Sequence, residues 1–362
     1  MIVDLPQEVI FRSLERKAVP FQGHLHLTER CNLKCFHCYR IGLPWSGGMG
    51  TKEWIRLLHE FRDEGTMDLT FSGGEPLLHP GWREIIGAAA RLGFQIDLFQ
   101  NGTVIKKDDI RFLKDCRIRE LSFSIHGIDE IHDRFVARPG AFRRAWPMVE
   151  YSRSVGLKTV IKMSVMRPTW PSIEELARRC REIGAVFAPS YNMIPRFVPG
   201  NDGFLSETLT ADQIRTFEKR YPEWTGRPEL SRCEDEPAPA TCNMGWARFA
   251  VGPRGDLYPC SQVAEPVDNI RYKPFRQAWR YSFRLNEIRA SAGKPLETCR
   301  SCELVKKCKY RCMGHFQLVT GKFDEPAPEH CRITAAWAGY DEIPTELVPL
   351  GKKDGERKEA VG

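Results

Sequence analysis

Between residues 24 and 194 the chain alternates short apolar runs with amphipathic stretches. The apolar runs are rich in Phe, Ile, Leu and Val and end at small or polar residues, which is typical of buried strands. Between them, apolar residues recur three and four positions apart, as amphipathic helices require. We predict six strands, at His24–Thr28, Asp68–Ser72, Gln95–Gln100, Glu120–Ile125, Val160–Met166 and Phe187–Met193. The predicted helices are Thr51–Glu64, Trp82–Leu92, Lys107–Cys116, Ala141–Val155 and Ser172–Ile183.

This alternation implies parallel βαβ units joined by right-handed crossovers. The predicted fold class is therefore α/β, a partial (β/α)6 TIM-like barrel with a cysteine-rich C-terminal extension. In such folds the functional groups lie at the carboxyl ends of the strands. Gly93, Gly156 and Gly184 each follow a helix and are expected to cap it in the left-handed conformation. Ser172 with Glu175 predicts a capping box.

After residue 195 the alternation stops, and the chain divides into further segments. A hairpin is expected where Arg248–Val251 and Asp256–Ser261 flank a Gly-Pro-Arg-Gly turn. The cysteine-rich part has so little regular core that we expect it to need metal to fold. The predicted segments are an N-terminal extension (1–20), the barrel (21–195), a linker with the helix Ala211–Tyr221 (196–232), the cysteine-rich domain (233–335) and a tail (336–362).

The composition excludes several classes of protein. Of 362 residues, 42% are hydrophobic and 28% are charged, which is ordinary for globular proteins. No stretch approaches the roughly 18 apolar residues of a membrane span, and the N-terminus has no apolar segment of the secretory kind. We therefore expect a cytoplasmic protein with no membrane association.

Thirteen cysteines are many for a protein in a reducing compartment, where clustered cysteines usually bind metal. Cys116 and Cys180 stand alone within predicted helices, and we interpret them as packing residues. The others form two groups. The first consists of Cys31, Cys35 and Cys38, and the second of Cys233, Cys242, Cys260, Cys299, Cys302, Cys308, Cys312 and Cys331.

The formal net charge is +7, and residues 271–311 alone contain 12 Lys and Arg against 3 Glu. A nucleic-acid surface is one interpretation of such a segment. The other is that cations stabilise nearby anionic thiolate clusters. We expect no nucleic-acid partner.

The first cysteine group has the spacing Cys31-x3-Cys35-x2-Cys38 and follows the first strand. Three thiolates on a tight loop can hold three corners of a [4Fe–4S] cluster and leave one iron open for another ligand. The alternatives are three unrelated thiols or a zinc knuckle, for which His37 lies within the loop. The second strand ends in Ser72-Gly73-Gly74-Glu75-Pro76, where the glycines permit close backbone approach and Glu75 can accept from an ammonium group.

Together, CxxxCxxC after the first strand and GGEP after the second resemble the radical S-adenosylmethionine (SAM) enzymes. The resemblance implies that the open iron binds SAM, whose cleavage gives a 5′-deoxyadenosyl radical, with Cys31, Cys35 and Cys38 as the catalytic cluster ligands. Arg134 is the nearest residue to the arginine with which relatives bind the SAM carboxylate, and His126 stands where many carry Asp. The implied cofactor-binding residues are His37, Gly73, Gly74, Glu75, Pro76, Asn101, Ser124, His126, Arg134, Ser164 and Met193.

The second cysteine group has the order C-x12-G-x4-C, then C-x2-C-x5-C-x3-C, then C. Taken alone, this spacing fits two zinc ribbons or iron–sulfur sites. Beside the barrel it resembles the SPASM extension of radical SAM maturases, which implies two auxiliary [4Fe–4S] clusters. The implied ligands are Cys299, Cys302, Cys308 and Cys331 for the farther cluster, and Cys242, Cys260 and Cys312 for the nearer one. Two alternatives exist for the fourth position of the nearer cluster: Cys233 completes it, or the site is open and binds substrate.

The resemblance implies hydrogen abstraction from a peptide and a post-translational change such as a crosslink or an excision. Sulfatase-maturating relatives carry Asp where Ser261 follows Cys260, which disfavours their reaction. The implied partners are a precursor peptide, a separate leader-recognition protein and a reductant of the flavodoxin or ferredoxin type. The alternatives are a radical SAM enzyme acting on a small molecule or tetrapyrrole, and a zinc-ribbon binding protein.

Overall fold

A sheet of nine strands organises the chain in this computed structural model, which describes residues 17–44, 47–198, 202–225, 242–291, 296–308 and 312–343. The strands lie in the order β6-β5-β4-β3-β2-β1-β7-β8-β9. From β6 to β7 all neighbours are parallel, whereas β7–β8 and β8–β9 are antiparallel. Their bounds are Gln22–His26 (β1), Asp68–Ser72 (β2), Gln95–Gln100 (β3), Glu120–Ser124 (β4), Thr159–Ser164 (β5), Val186–Ser190 (β6), Arg248–Val251 (β7), Asp256–Tyr258 (β8) and Asp268–Asn269 (β9).

Helices connect the parallel strands and form most of the remainder. Those of the barrel are Thr51–Asp63 (α1), Trp82–Arg91 (α2), Lys107–Asp115 (α3), Glu130–Phe135 (α4), Ala141–Ser154 (α5) and Ile173–Ile183 (α6). Those farther along the chain are Ala211–Arg220 (α7), Pro222–Thr225 (α8), Phe275–Tyr281 (α9), Phe283–Ser291 (α10), Glu297–Arg300 (α11), Met313–Thr320 (α12) and Pro328–Ala338 (α13).

The predicted partial barrel is confirmed, and most predicted elements begin within one or two residues of the observed ones. Gly93, Gly156 and Gly184 adopt φ angles of +79°, +85° and +70°, as expected of left-handed caps. The capping box at Ser172 is wrong. Its Oγ accepts the backbone N–H of Ile128 at 3.1 Å instead of capping α6, which begins directly after a 3₁₀ turn.

The two faces of the sheet differ in polarity because side chains alternate along each strand. On one face, register places Leu25, Phe71, Leu98 and Leu121 side by side, and all four are fully buried. The crossover helices cover this apolar face. On the inner face of the curved sheet, the matching row is polar and only partly buried; it consists of His24, Thr70, Asp97 and Glu120.

The segment 243–290 is built into the barrel sheet. Its strand β7 pairs in parallel with β1, with Gln22 opposite Arg248. An aromatic cluster joins the segment to α1: the ring of Phe249 lies 5.1 Å from Phe61 and 4.9 Å from Phe275. The segment 243–290 accordingly forms one compact unit with the described residues up to Leu209.

Carboxylates neutralise part of the basic segment 271–311, whereas the interpretation that its cations stabilise anionic clusters stays a prediction. Arg271 and Arg280 form ion pairs with Glu53 of α1 and with Glu64, which directly follows α1, at 2.7 and 3.0 Å. Lys273 pairs with Asp268 at 2.7 Å. Acidic residues outside this segment therefore offset part of its charge excess.

The second compact unit comprises the described residues within 210–242 and 291–362. Within it α7 packs against α13. Arg215 of α7 donates to the carbonyl of Tyr340 at 3.1 Å and to the carboxylate of Asp341 at 2.7 Å. In the described part of the chain, no helix combines the length and apolarity of a membrane span.

Replacing Phe275 by Ala should lower the free energy of unfolding by about 3–5 kcal/mol, because its ring is fully buried in the aromatic cluster. Phe283→Ala is the matched control: its ring is 78% exposed, so its loss should cost less than about 0.5 kcal/mol. Urea unfolding of both variants measures the difference. Equal stability of the two would contradict the assigned packing of the segment 243–290.

Candidate functional site

The loop that carries the first cysteine group is fixed at the carboxyl edge of the sheet. The backbone N–H groups of Lys34 and Phe36 donate to the carbonyls of Val136 and Phe135, at the end of α4, at 3.2 and 2.8 Å. The side chain of Cys35 packs against a small apolar cluster of Leu33, Val136 and Ala141. Local hydrogen bonds and apolar contacts therefore hold the loop in place.

The three thiols of this loop lie close enough to influence one another. Burial, and then the negative charges of Glu75 and Cys38, raise the pKa of Cys31 to about 11. Burial, and then the charges of Cys38 and Cys31, raise the pKa of Cys35. Thiolates crowded in this way need positive charge beside them, so the donor set fits an iron cluster.

No three His, Cys, Asp or Glu side chains in the described ranges converge tightly enough to hold a single metal ion. In a [4Fe–4S] cluster each cysteine binds a different iron, so its ligands need not converge that closely.

The Gly73-Gly74 pair permits a close approach between two loops of the protein itself. The N–H of Gly74 donates to the Thr28 carbonyl at 2.6 Å, and that of Glu75 donates to the Arg30 carbonyl at 2.7 Å. A Cβ atom at Gly73 would lie 2.3 Å from the Thr28 carbonyl oxygen, and one at Gly74 would lie 2.4 Å from that of Arg30. A side chain at either position would therefore push the cysteine loop away.

Glu75 lies fully buried beside this loop, and Pro76 follows it at the start of a 3₁₀ turn. One carboxylate oxygen accepts the N–H of Asn101 at 2.8 Å, and the other accepts that of Leu77 at 3.2 Å. Burial nonetheless raises the pKa of Glu75 to about 7. A carboxylate held in this state gains strongly from a cationic partner.

Asn101 holds the cysteine loop from the end of β3. Its Nδ2 donates to Oδ1 of Asn32 at 2.9 Å, and its own Oδ1 accepts from the backbone and hydroxyl of Thr103. Arg138 reaches the same loop and donates to the Asn32 carbonyl at 2.9 Å. Arg134, the residue named from the sequence, is exposed. The sequence pattern does not predict helix α4. Because this helix brings the following residues back to the cysteine loop, Arg138 was not among the predicted site residues.

An aromatic wall lines the site next to the cysteines. The ring of His37 stacks on Phe135 with centroids 5.0 Å apart and meets the ring of His126 edge-on at 4.6 Å. Burial lowers the pKa of His37 to about 4, and burial followed by the charge of His37 lowers that of His126. Nδ1 of His126 accepts the N–H of Ser164 at 3.0 Å. Both imidazoles are therefore neutral and can face an apolar or aromatic ligand.

The two remaining residues named from the sequence lie on neighbouring parts of the barrel. Ser124 ends β4 and is partly buried. Met193 belongs to a buried cluster with Phe135, Met166 and Phe204, so it supports the aromatic wall through packing.

In the second unit, four cysteines predicted to share one cluster lie together. Burial, and then the charges of Cys308, Cys299 and Cys302, raise the pKa of Cys331 to about 12. Cys302 and Cys331 also pack against the same apolar residues, Leu304 and Ala335. The set has the composition of a closed four-thiolate site.

The cysteines predicted for the nearer cluster are divided between the two units. Cys260 follows β8 in the first unit, where its charge and that of Cys38 both act on the phenol of Tyr39. Cys242 and Cys312 belong to the second unit, and Sγ of Cys312 accepts the N–H of His315 at 3.4 Å. Cys233 lies outside the described residues. The two other cysteines, Cys116 and Cys180, are half-buried and buried.

Comparison with protein families identifies two domains. Residues 25–180 match the radical SAM superfamily, and residues 242–303 match SPASM, an iron–sulfur cluster-binding domain. The first match covers the cysteine loop, the Gly73–Glu75 segment and the aromatic wall. The second covers the hairpin and Cys299 and Cys302.

Among characterised proteins, the antilisterial bacteriocin subtilosin biosynthesis protein AlbA of Bacillus subtilis is 28% identical over 250 residues, which are 67% of this chain and 55% of AlbA. The chain thus spans about half the length of that relative. The AdoMet-dependent heme synthase of Methanosarcina barkeri is 28% identical over 335 residues, 83% of this chain and 93% of that protein. Among solved structures, SuiB of Streptococcus suis bound to S-adenosylmethionine has the same fold, with a TM-score of 0.68, 19% identity and coverage of 85% of this chain and 77% of SuiB.

The contribution of Glu75 to protein stability should fall as the pH rises through the pKa of this carboxyl. Because burial raises this pKa from 4.5 to about 7, the protonated carboxyl favours the folded state below pH 4.5, and that contribution is lost by pH 7. The loss should reach about 3 kcal/mol, and Glu75→Gln should abolish it. Denaturant unfolding at several pH values measures the difference between the two proteins.

Glu84→Gln, which changes an exposed carboxyl of α2, is the matched control and should keep the wild-type pH dependence. An unchanged slope in Glu75→Gln would contradict the perturbed pKa.

Proposed function

The chain belongs to the radical SAM enzymes that carry a SPASM domain, and on that premise we propose that it modifies a peptide after translation. When bound, the cluster and SAM supply a 5′-deoxyadenosyl radical that removes a hydrogen atom from the substrate. The protein must hold SAM and substrate in line and exclude other reactions. The product is a crosslink, an excision or another change of backbone or side chain.

The observation that carries the proposal is the junction of the cysteine loop with a buried carboxylate. The carboxylate of Glu75 accepts hydrogen bonds from the loops that follow β2 and β3. The backbone N–H of Glu75 donates to the carbonyl of Arg30, directly before the first cysteine of the cysteine loop. We assign it the ammonium group of SAM, because a buried carboxylate with a pKa near 7 is stabilised by a cation.

The other residues of the site divide the remaining tasks. Asn101 and Arg138 fix the loop through Asn32, and the neutral rings of His37 and His126 offer a surface for the purine. Cys31, Cys35 and Cys38 hold the catalytic cluster. The remaining named residues, Ser124, Ser164 and Met193, act at or behind this wall.

A peptide substrate is supported by the relatives. AlbA takes part in the biosynthesis of the bacteriocin subtilosin, and SuiB has been crystallised with its precursor peptide SuiA. We infer that this chain also acts on a precursor peptide, with a separate leader-recognition protein and a reductant of the flavodoxin or ferredoxin type.

A tetrapyrrole substrate is the second candidate. The match to the Methanosarcina barkeri heme synthase covers 93% of that protein, whereas the match to AlbA covers 55% of AlbA. The zinc-ribbon alternative has no such support, because the matching C-terminal domain is an iron–sulfur domain.

Anaerobic reconstitution should give about 12 iron atoms per chain, as three [4Fe–4S] clusters require. Cys35→Ala should lower this to about 8 and abolish reductant-dependent formation of 5′-deoxyadenosine. Cys116→Ala, a half-buried cysteine outside the predicted ligand sets, should match the wild type in both measurements. Retained SAM cleavage in Cys35→Ala would contradict the assignment of the loop.

The two substrate classes can be separated by turnover. Reconstituted enzyme is incubated with SAM, reductant and either small peptides encoded beside the gene or coproporphyrin-type tetrapyrroles. We expect one peptide to raise the yield of 5′-deoxyadenosine and to change mass. A mass change of the tetrapyrrole with all peptides inert would favour the second candidate.

A further inference from the structure

Three polar side chains form a hydrogen-bonded chain on the inner face of the barrel. Nε2 of His24 bonds with Oγ of Ser72, and the same Oγ lies 3.1 Å from Nδ1 of His26. The strand register sets this arrangement, because His24 and His26 share one face of β1 and His26 is paired with Ser72 of β2. The pattern HLHLT predicts a strand and does not by itself single out these histidines.

Among the described residues, nothing pairs with the outer ring nitrogen of His26. His26 is 1% exposed, and its Nε2 makes no hydrogen bond to any residue that the structure describes. An unsatisfied buried polar atom costs about 1–3 kcal/mol. His26 is also the last residue of β1, five positions before Cys31, at the edge where the cysteine loop begins. This unpaired nitrogen therefore lies beside the proposed site, where it can accept a proton.

The surroundings keep both imidazoles uncharged. Burial, and then the positive charges of Arg40 and Lys162, lower the pKa of His24 to about 3, and burial followed by Arg40 lowers that of His26. Arg40 is itself paired with Glu29. Nζ of Lys162 lies 4.2 Å from the centroid of the Phe99 ring and 3.9 Å from Oε1 of Glu120.

A neutral imidazole has one N–H and one acceptor nitrogen, so His24, Ser72 and His26 can bond in either direction. The two directions differ only in where the protons lie.

We propose that His26, Ser72 and His24 form a proton relay in which Nε2 of His26 receives the proton that the substrate loses. The proposal rests on the proposed peptide modification. A crosslink that joins two atoms releases two hydrogens: one leaves as an atom to the 5′-deoxyadenosyl radical. The other leaves as a proton, and its electron passes to a one-electron acceptor of the iron–sulfur class.

The proton balance of the relay is complete. Before the step, Nδ1–H of His26 donates to Ser72, whose O–H donates to Nε2 of His24. As Nε2 of His26 gains a proton, its Nδ1 proton passes to Ser72, and the hydroxyl proton of Ser72 passes to His24. His24 then releases its own Nδ1 proton to the partly open inner face. The three side chains are then neutral again, and donor and acceptor have exchanged roles in both hydrogen bonds.

The relay can be tested on the peptide that the wild-type enzyme turns over. With a deuterated peptide, His26→Gln should still transfer deuterium into 5′-deoxyadenosine within about twofold of the wild-type rate. Formation of the modified peptide should fall at least tenfold. Ser72→Ala should act in the same direction, and 4-methylimidazole should restore product formation to His26→Ala.

Ser152→Ala is the matched control, because it removes a buried serine hydroxyl bonded to Thr159, away from the inner face. It should leave both rates unchanged. Product formation at the wild-type rate in His26→Gln, or no recovery of His26→Ala with 4-methylimidazole, would overturn the proposal. If deuterium transfer falls in parallel with product, His26 positions the substrate and the relay is also overturned.

A second measurement needs no substrate, so failure of the relay and failure of the proposed function can be told apart. Holoenzyme labelled with ¹⁵N-histidine should show a neutral His26 at pH 6, and Ser72→Ala should shift the resonance of its Nδ1. A charged His26, or an Nδ1 resonance that does not shift in Ser72→Ala, would overturn the relay. Inert peptides combined with the expected resonances would instead count against the peptide substrate.

Discussion

The site depends on the close approach of two loops that follow adjacent parallel strands. Parallel pairing of β1 and β2 brings the chain after His26 beside the chain after Ser72. The hydrogen bonds continue past the strands, from Gly74 to Thr28 and from Glu75 to Arg30. Only glycine fits at positions 73 and 74, because a Cβ atom at either would clash with the backbone of the other loop. The same contact sets the cysteine loop beside the buried carboxylate of Glu75. Loop, acid and glycines are therefore one structural unit.

Much of this arrangement could be predicted from the sequence, because it depends on patterns among residues that are close together in the chain. The apolar period located the strands and helices, and the carboxyl ends of the first two strands located both motifs. Arg138 could not be assigned, because its position depends on the short helix α4 and the turn after it. The inner-face histidines were missed for a different reason: alternate His and Leu residues have the same period as any half-buried strand.

The basic segment shows a second limit of sequence patterns. Its cations appeared unbalanced because the acids that pair with them, such as Glu53 and Glu64, are more than 200 residues earlier in the chain. Local charge counts therefore overstate the field of a surface that folding brings against acidic helices. The cysteine spacing was more informative. Cys299, Cys302, Cys308 and Cys331 come together although Cys331 is remote in sequence, so metal bound there would tie distant parts of the second unit to one another.

The parallel pairing of β7 with β1 also affects how the chain can be synthesised. β1 is an interior strand only because β7 covers its second edge, and the paired residues Gln22 and Arg248 are 226 positions apart. During translation the ribosome releases β1 long before β7, so the growing barrel has an unpaired edge strand for most of its synthesis. Such edges recruit other chains. Premature termination before residue 248 would leave that edge permanently open, so truncated products should be prone to aggregation and degradation.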